Sequence, residues 1–196
     1  MSEEWQLPSS WCWTTTGGIS EVIGGGTPST TDPSNFGGSI PWITPADMSN
    51  HREKTISGGA RTISALGLSG SGAKVLPTGT VLFSSRAPIG YVAIASTEVT
   101  TNQGFKSFVP RQGVRSDYLY YWLTTSKKRA ESLASGTTFL ELSGAKAALL
   151  PVPLAPNAEQ TRIVEKLEEL LSDLDAGVAE LKAAQKKLAQ YRQSLL

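Results

Sequence analysis

The stretch Glu159–Leu195, EQTRIVEKLEELLSDLDAGVAELKAAQKKLAQYRQSL, decides the fold. From Ile163 its apolar and small residues step by four and three through Leu167, Leu170, Leu174, Gly177, Leu181, Ala184, Leu188, Tyr191 and Leu195. A seam of period 3.5 stays in register with a second helix only if the two supercoil. At about 1.5 Å per residue the rod reaches about 55 Å, too long to bury its seam against one small domain. The spacing therefore predicts a coiled-coil dimerisation face made of Ile163, Leu167, Leu170, Leu174, Leu181, Leu188, Tyr191 and Leu195. The competing reading is a break at Gly177 and Ala184, with two shorter helices folding back. Apart from Asp175, no turn-forming residue stands beside Gly177 to support it.

The start of the rod is marked as well. Pro151, Pro153 and Pro156 interrupt what precedes it, Asn157 is an N-cap residue, and Gln160 holds the reach-back position of a capping box. Glu165, Glu168, Glu169 and Asp173 come early, and Lys182, Lys186, Lys187 and Arg192 come late. That order suits the helix dipole. It also sets acid against base when two such helices lie antiparallel.

The rest of the chain, residues 1–150, is long enough for one globular domain, with 151–156 as a proline-rich joint and 157–196 as the helical arm. The expected class is α+β: a domain of short strands and helices followed by a long C-terminal coiled-coil helix. Formal net charge is only +1, with 12 basic and 10 acidic residues before Pro151 and 6 and 7 from there on. A basic surface must therefore come from local clustering. The single cysteine, Cys12, excludes an internal disulfide and a cysteine-rich zinc site. Glu3 and Glu4 do not make the basic start of a signal peptide, and no apolar run approaches a membrane span. The expectation is a soluble, cytoplasmic protein with no membrane partner.

Within the domain, Gly24-Gly25-Gly26-Thr27-Pro28-Ser29 opens a long polar loop reaching Gly38, and Ile40 to Ile43 reads as an edge strand because Pro41 lacks a ladder amide. Thr80 to Ser85 and Ile89 to Ala95 read as paired strands, and Phe105 alternates with Ser107 and Val109 as another. One helix is expected from Ser116, burying Leu119, Trp122, Leu123, Ala130 and Leu133, with Lys127-Lys128-Arg129 late in it. Gly67 to Lys74 imitates a phosphate loop but has Ala73 where the lysine belongs. One histidine, His51, and one cysteine supply neither a catalytic set nor a metal centre. A binding module is the default, and an enzyme with an unrecognised site is the rival.

Read in order, Leu7-Pro8 with Trp11, Gly25 to Ser29, Pro41-Trp42-Ile43, Arg86-Ala87-Pro88-Ile89-Gly90, Thr101-Asn102-Gln103, Gly136-Thr137-Thr138, Pro151 to Pro156, Glu159-Gln160 and Arg162-Ile163-Val164 resemble the specificity subunit of type I restriction-modification enzymes. The closing Arg192 to Leu196 fits the end of that family's spacer helix. The resemblance implies a target recognition domain plus a spacer helix. It implies double-stranded DNA, methyltransferase subunits carrying S-adenosylmethionine, and a restriction subunit as partners. This chain itself would have no catalytic role and no cofactor. The family's usual member has two such units in tandem, whereas this sequence holds one, either as a half-subunit or as part of a longer protein. Two copies paired antiparallel through the seam would rebuild the two-unit arrangement and read a symmetric split site. Candidate DNA contacts are Thr30 and Asn35 in the first polar loop, Ser71 and Lys74 in the second, and Arg86, Lys106, Lys127 and Thr137. Arg86 is also readable as a structural ion pair and Thr137 as a helix-end cap. The rival at the level of function is a scaffold or antagonist that occupies methyltransferase subunits without reading DNA.

Overall fold

A computed structural model of the chain describes residues 6–136 and 140–194. In chain order the elements are β1 (Cys12–Thr15), α1 (Thr16–Ile19), β2 (Ser20–Gly24), a 3-10 turn (Pro33–Asn35), β3 (Phe36–Ile43), α2 (Pro45–Met48), β4 (Thr55–Ile56), β5 (Arg61–Ile63) and α3 (Ala65–Ser69). They continue with β6 (Val81–Ser85), β7 (Ile89–Ala95), β8 (Thr100–Thr101), β9 (Lys106–Pro110), α4 (Ser116–Thr124), α5 (Lys127–Leu133), α6 (Gly144–Ala147), β10 (Pro151–Leu154) and α7 (Asn157–Ser194). The class is α+β with a long C-terminal helix, as expected.

The apolar run Val81-Leu82-Phe83, with a β-branched and an aromatic residue at its ends, lies in β6, the central strand of the main sheet, whose order is β2-β9-β6-β7-β4. Because side chains alternate along a strand, Val81 and Phe83 face one way, packing with Phe108, Leu119, Leu123, Leu150 and Val152. Leu82 faces the other way, with Ile43, Leu76, Ala93 and Phe105. The rings of Phe83 and Phe108 meet edge to face at 6.2 Å. The expected pairing of the Thr80 and Ile89 runs is the β6–β7 antiparallel hairpin.

Three local expectations change. The Pro41 strand is not an edge: β3 is the middle of a second sheet, β5-β3-β8. Pro41 is tolerated because the parallel partner β8 pairs only with Trp42 and Ile43, leaving the strand unpaired on that side at the proline. The helix expected from Ser116 is two helices. The Thr125 and Ser126 hydroxyls bond back to the Trp122 carbonyl at 2.8 and 2.9 Å and end α4, so Lys127 and Lys128 open α5 instead of closing a longer helix. The proline-rich stretch 151–154 is a strand, β10, in a two-stranded sheet with β1. Its prolines fit there because an edge strand leaves half its amides unused.

The chain divides into two compact units, one ending at Asn157 and the other running from Ala158. In the second unit α7 continues without a break through Gly177, so the hairpin reading falls. Leu170, Leu174, Leu181, Leu188 and Tyr191 stay exposed along it, between 52% and 72%. Gly177 faces open space, leaving a shallow notch bordered by Leu174, Val178, Leu181 and Ala184. Leu195, the last of the seam, lies outside the described residues.

Candidate nucleic-acid interface

The two polar loops of the sequence reading are locked together beside the β5-β3-β8 sheet. The Gly26 amide donates to the Thr101 carbonyl at 2.9 Å, and the Trp42 indole N–H donates back to the Gly26 carbonyl at 3.0 Å. Side chains are impossible here. A Cβ on Gly25 would sit 1.9 Å from the Asn102 carbonyl oxygen, and one on Gly26 2.1 Å from the Ala73 nitrogen. The glycines therefore let the first loop lie directly on the second loop and on the Thr101-Asn102 segment.

Asn35 is turned inward at 8% exposure, and its side-chain amide donates to the Ser29 carbonyl at 2.9 Å. Its own carbonyl accepts the Ser64 amide at 3.0 Å, while the Ser64 hydroxyl donates to the Ser34 carbonyl at 2.7 Å. The Ser34 hydroxyl and amide both donate to Asp32, and these two bonds hold that carboxyl below its ordinary value. Asn35 thus fastens the first loop internally and ties it to Ser64, the cap of α3. Thr30 and Lys74 are exposed on the outer side, and the Ser71 hydroxyl accepts the Ala73 amide at 3.3 Å.

A second cluster sets Arg86 and Lys106 around Glu141, whose backbone is bridged to Ser135. Arg86 reaches its carboxylate at 3.4 Å and Lys106 at 3.9 Å, so Arg86 does form an ion pair. Burial pushes the Lys106 amine below its ordinary pKa; Glu141 opposes that shift and Arg86 adds to it. Lys127 lies 3.9 Å from Glu131, whose side chain lines a shallow recess together with Arg86, Pro88, Ile89, Leu140 and Glu141. The two clusters are linked through Gln103. Thr27 donates its hydroxyl to the Gln103 side chain, and the Lys106 amine donates to the Gln103 carbonyl at 3.5 Å. Thr137 lies outside the described residues.

The sequence reading missed Glu141 because its partners stand far away in the chain, 55 residues in the case of Arg86. It also missed Asp47. That carboxylate accepts the Thr44 amide at 2.8 Å, the Thr44 hydroxyl at 2.7 Å and the Ala60 amide at 2.8 Å, and so fixes the start of β5. The Thr44-x-x-Asp47 spacing was an available signal. Among the described residues no group of three His, Cys, Asp or Glu side chains could hold a metal ion, and no helix is long and apolar enough to cross a membrane.

Packed polar loops linked through Gln103 to the cations Lys106 and Arg86 have the chemistry of a recognition surface. A family model described as the Type I restriction modification DNA specificity domain matches residues 8–184. The chain belongs to that family. It is 41% identical over 164 residues to the Type I restriction enzyme MjaIX specificity subunit of Methanocaldococcus jannaschii, covering 83% of this chain and 38% of that protein. A solved structure reported under complex assembly and conformational transition of the type I R-M system superposes with a TM-score of 0.74 at 25% identity, covering 96% of this chain and 46% of its own. The crystal structure of the HsdS subunit from Thermoanaerobacter tengcongensis shares the fold at a TM-score of 0.70 and 23% identity, covering 90% and 41%. The chain spans less than half the length of each of these three.

Proposed function

We propose that this chain reads one half of a bipartite double-stranded DNA target as the specificity component of a type I restriction-modification complex in the cytoplasm. Base reading would fall to the loops around Thr30 and Ser71–Lys74, with Arg86, Lys106, Lys127 and Thr137 as candidates for phosphate or base contacts. Within the family reading, the observation that carries this is the packing of the first polar loop on the second, Gly26 against Gly72 and Ala73, with the first loop also tied by hydrogen bonds to Thr101, Trp42 and Ser64. Loops immobilised before binding lose little further entropy when they meet a groove.

The chain would carry no catalysis and no cofactor. Methyltransferase subunits would dock on it and supply S-adenosylmethionine chemistry, and a restriction subunit would complete the assembly. The near-neutral charge fits this division: sequence-independent phosphate contact would come largely from the partners, and discrimination from this chain. The exposed seam of α7 supports an antiparallel pair of two copies, each presenting one recognition unit.

The test is to co-express the chain with its cognate methyltransferase subunit and map methylated sites. Methylation at a symmetric split motif is the expected outcome. A stable complex with no methylation would instead favour a scaffold or antagonist that occupies the methyltransferase.

A further inference from the structure

We propose that Arg61 is a base-reading residue of this interface, presenting its guanidinium edge to a guanine in the major groove. The proposal rests on the DNA-reading function above and names a contact within it. Arg61 opens β5, paired in register with Trp42 of β3, and is exposed. Its guanidinium carbon lies 4.0 Å over the Phe36 ring centre and 5.5 Å from that of Trp42. The two rings hold each other edge to face at 5.9 Å.

Each support is itself fixed. Trp42 is 4% exposed and anchored by its indole N–H to Gly26, so the first polar loop and the ring pair beside Arg61 are tied together. On the backbone side, the Asp47 carboxylate holds the Ala60 amide at 2.8 Å, one residue before Arg61. Gly59 allows this. A Cβ there would stand 2.6 Å from the Asp47 carboxylate and 2.7 Å from the Trp42 carbonyl oxygen.

Stacking covers a face of the guanidinium and leaves its in-plane N–H donors at the edge. The other well-placed arginines differ. Arg86 spends donors on Glu141, and Arg115 on Asp117 at 2.6 and 3.0 Å. Among the described residues no carboxylate forms an ion pair with Arg61. A flat, pre-oriented fork with free edges matches the paired O6 and N7 acceptors of guanine, and the ordering cost of a long side chain has been met in advance. Position agrees with chemistry: β5 runs directly into Ser64, which ties it to the Ser34–Asn35 end of the first polar loop.

The experiment uses the full chain co-expressed with its methyltransferase subunit, comparing wild type, Arg61→Ala, Arg61→Lys and Phe36→Leu by methylation-site mapping. Recovery of the intact complex is the folding control, and Arg61→Lys keeps the charge. Both Arg61 variants are expected to lose discrimination at a single G·C position of the half-site by about ten- to a hundredfold, with the other positions unchanged. Phe36→Leu should soften the same position to a smaller degree. An unchanged motif in both Arg61 variants would overturn the proposal. So would a uniform fall at every position, which is the signature of a phosphate contact. If the wild-type chain directs no motif at all, the DNA-reading function fails, and that outcome is separate from the failure of Arg61 alone.

Discussion

Asp47 shows how much a single carboxylate holds in place at the interface. It joins the end of β3, the start of α2 and the residue before Arg61 through three hydrogen bonds. Burial raises its pKa, but the bonds from Ala60 and Thr44 outweigh that, and the carboxyl sits below its ordinary value. A carboxyl with a lowered folded pKa stabilises the fold fully above its unfolded value and loses that contribution as pH falls through the folded one. Asp47→Asn is therefore expected to cost about 1 kcal/mol at neutral pH, allowing for solvent screening at this partly exposed site. In urea titrations the gap between variant and wild type should narrow from about pH 5 downward. A gap that stays constant to pH 3 would mean the charge contributes nothing. At this scale the sequence was least legible. Asn35 is chemically a base reader yet faces inward, and Arg61, Phe36 and Trp42 converge only because β3 and β5 pair. Residue type tells which groups can bond, but strand pairing decides which of them remain outside.

Among elements, legibility tracked how local the signal was. The β6–β7 hairpin was readable because both strands carry their own β-rich runs, and α7 was readable because a heptad repeats within one segment. The break between α4 and α5 was not, since Thr125 and Ser126 stop a helix through back-bonding that ordinary surface hydroxyls also make. Pro41 misled because an edge is a property of the neighbours, not of the strand. The glycine loop was legible as a loop, but its purpose lies in contact with a segment about 75 residues away. Gly26→Ala puts a methyl 2.1 Å from the Ala73 nitrogen and must push the two loops apart. The expected cost is about 1–3 kcal/mol in a thermal or urea melt, as for other overpacked sites. Methylation directed by the chain should lose sequence preference along the half-site while the methyltransferase complex still forms. Unaltered stability and motif would mean that the loop contact is not a packed one.

For the whole molecule, the self-pairing proposed for α7 would specify a register as well as an attraction. In an antiparallel pair each core layer joins an a position of one helix to a d position of the other. One register satisfies this from end to end: Leu167 with Tyr191, Leu170 with Leu188, Leu174 with Ala184, and Gly177 with Leu181 of the second copy. The two-fold axis then crosses at Ala179. In this arrangement the notch at Gly177 receives the large side chain of Leu181, and Val178 meets its own counterpart at the axis. Asp173 falls opposite Lys187 of the other copy, twice by symmetry. Exposed pairs of this kind contribute about 0.2–1 kcal/mol each and weaken with salt. Asp173→Lys or Lys187→Asp alone should therefore weaken self-association by several-fold in ultracentrifugation at low salt. The double swap should restore it, because both pairs re-form with reversed polarity. A double variant no better than the singles would reject this register, and a shift of one heptad would then be the next to test. On the proposed function the register would also matter, since the axial position of the two-fold would set how far apart two identical recognition units are held, and hence the gap in the split site they would read.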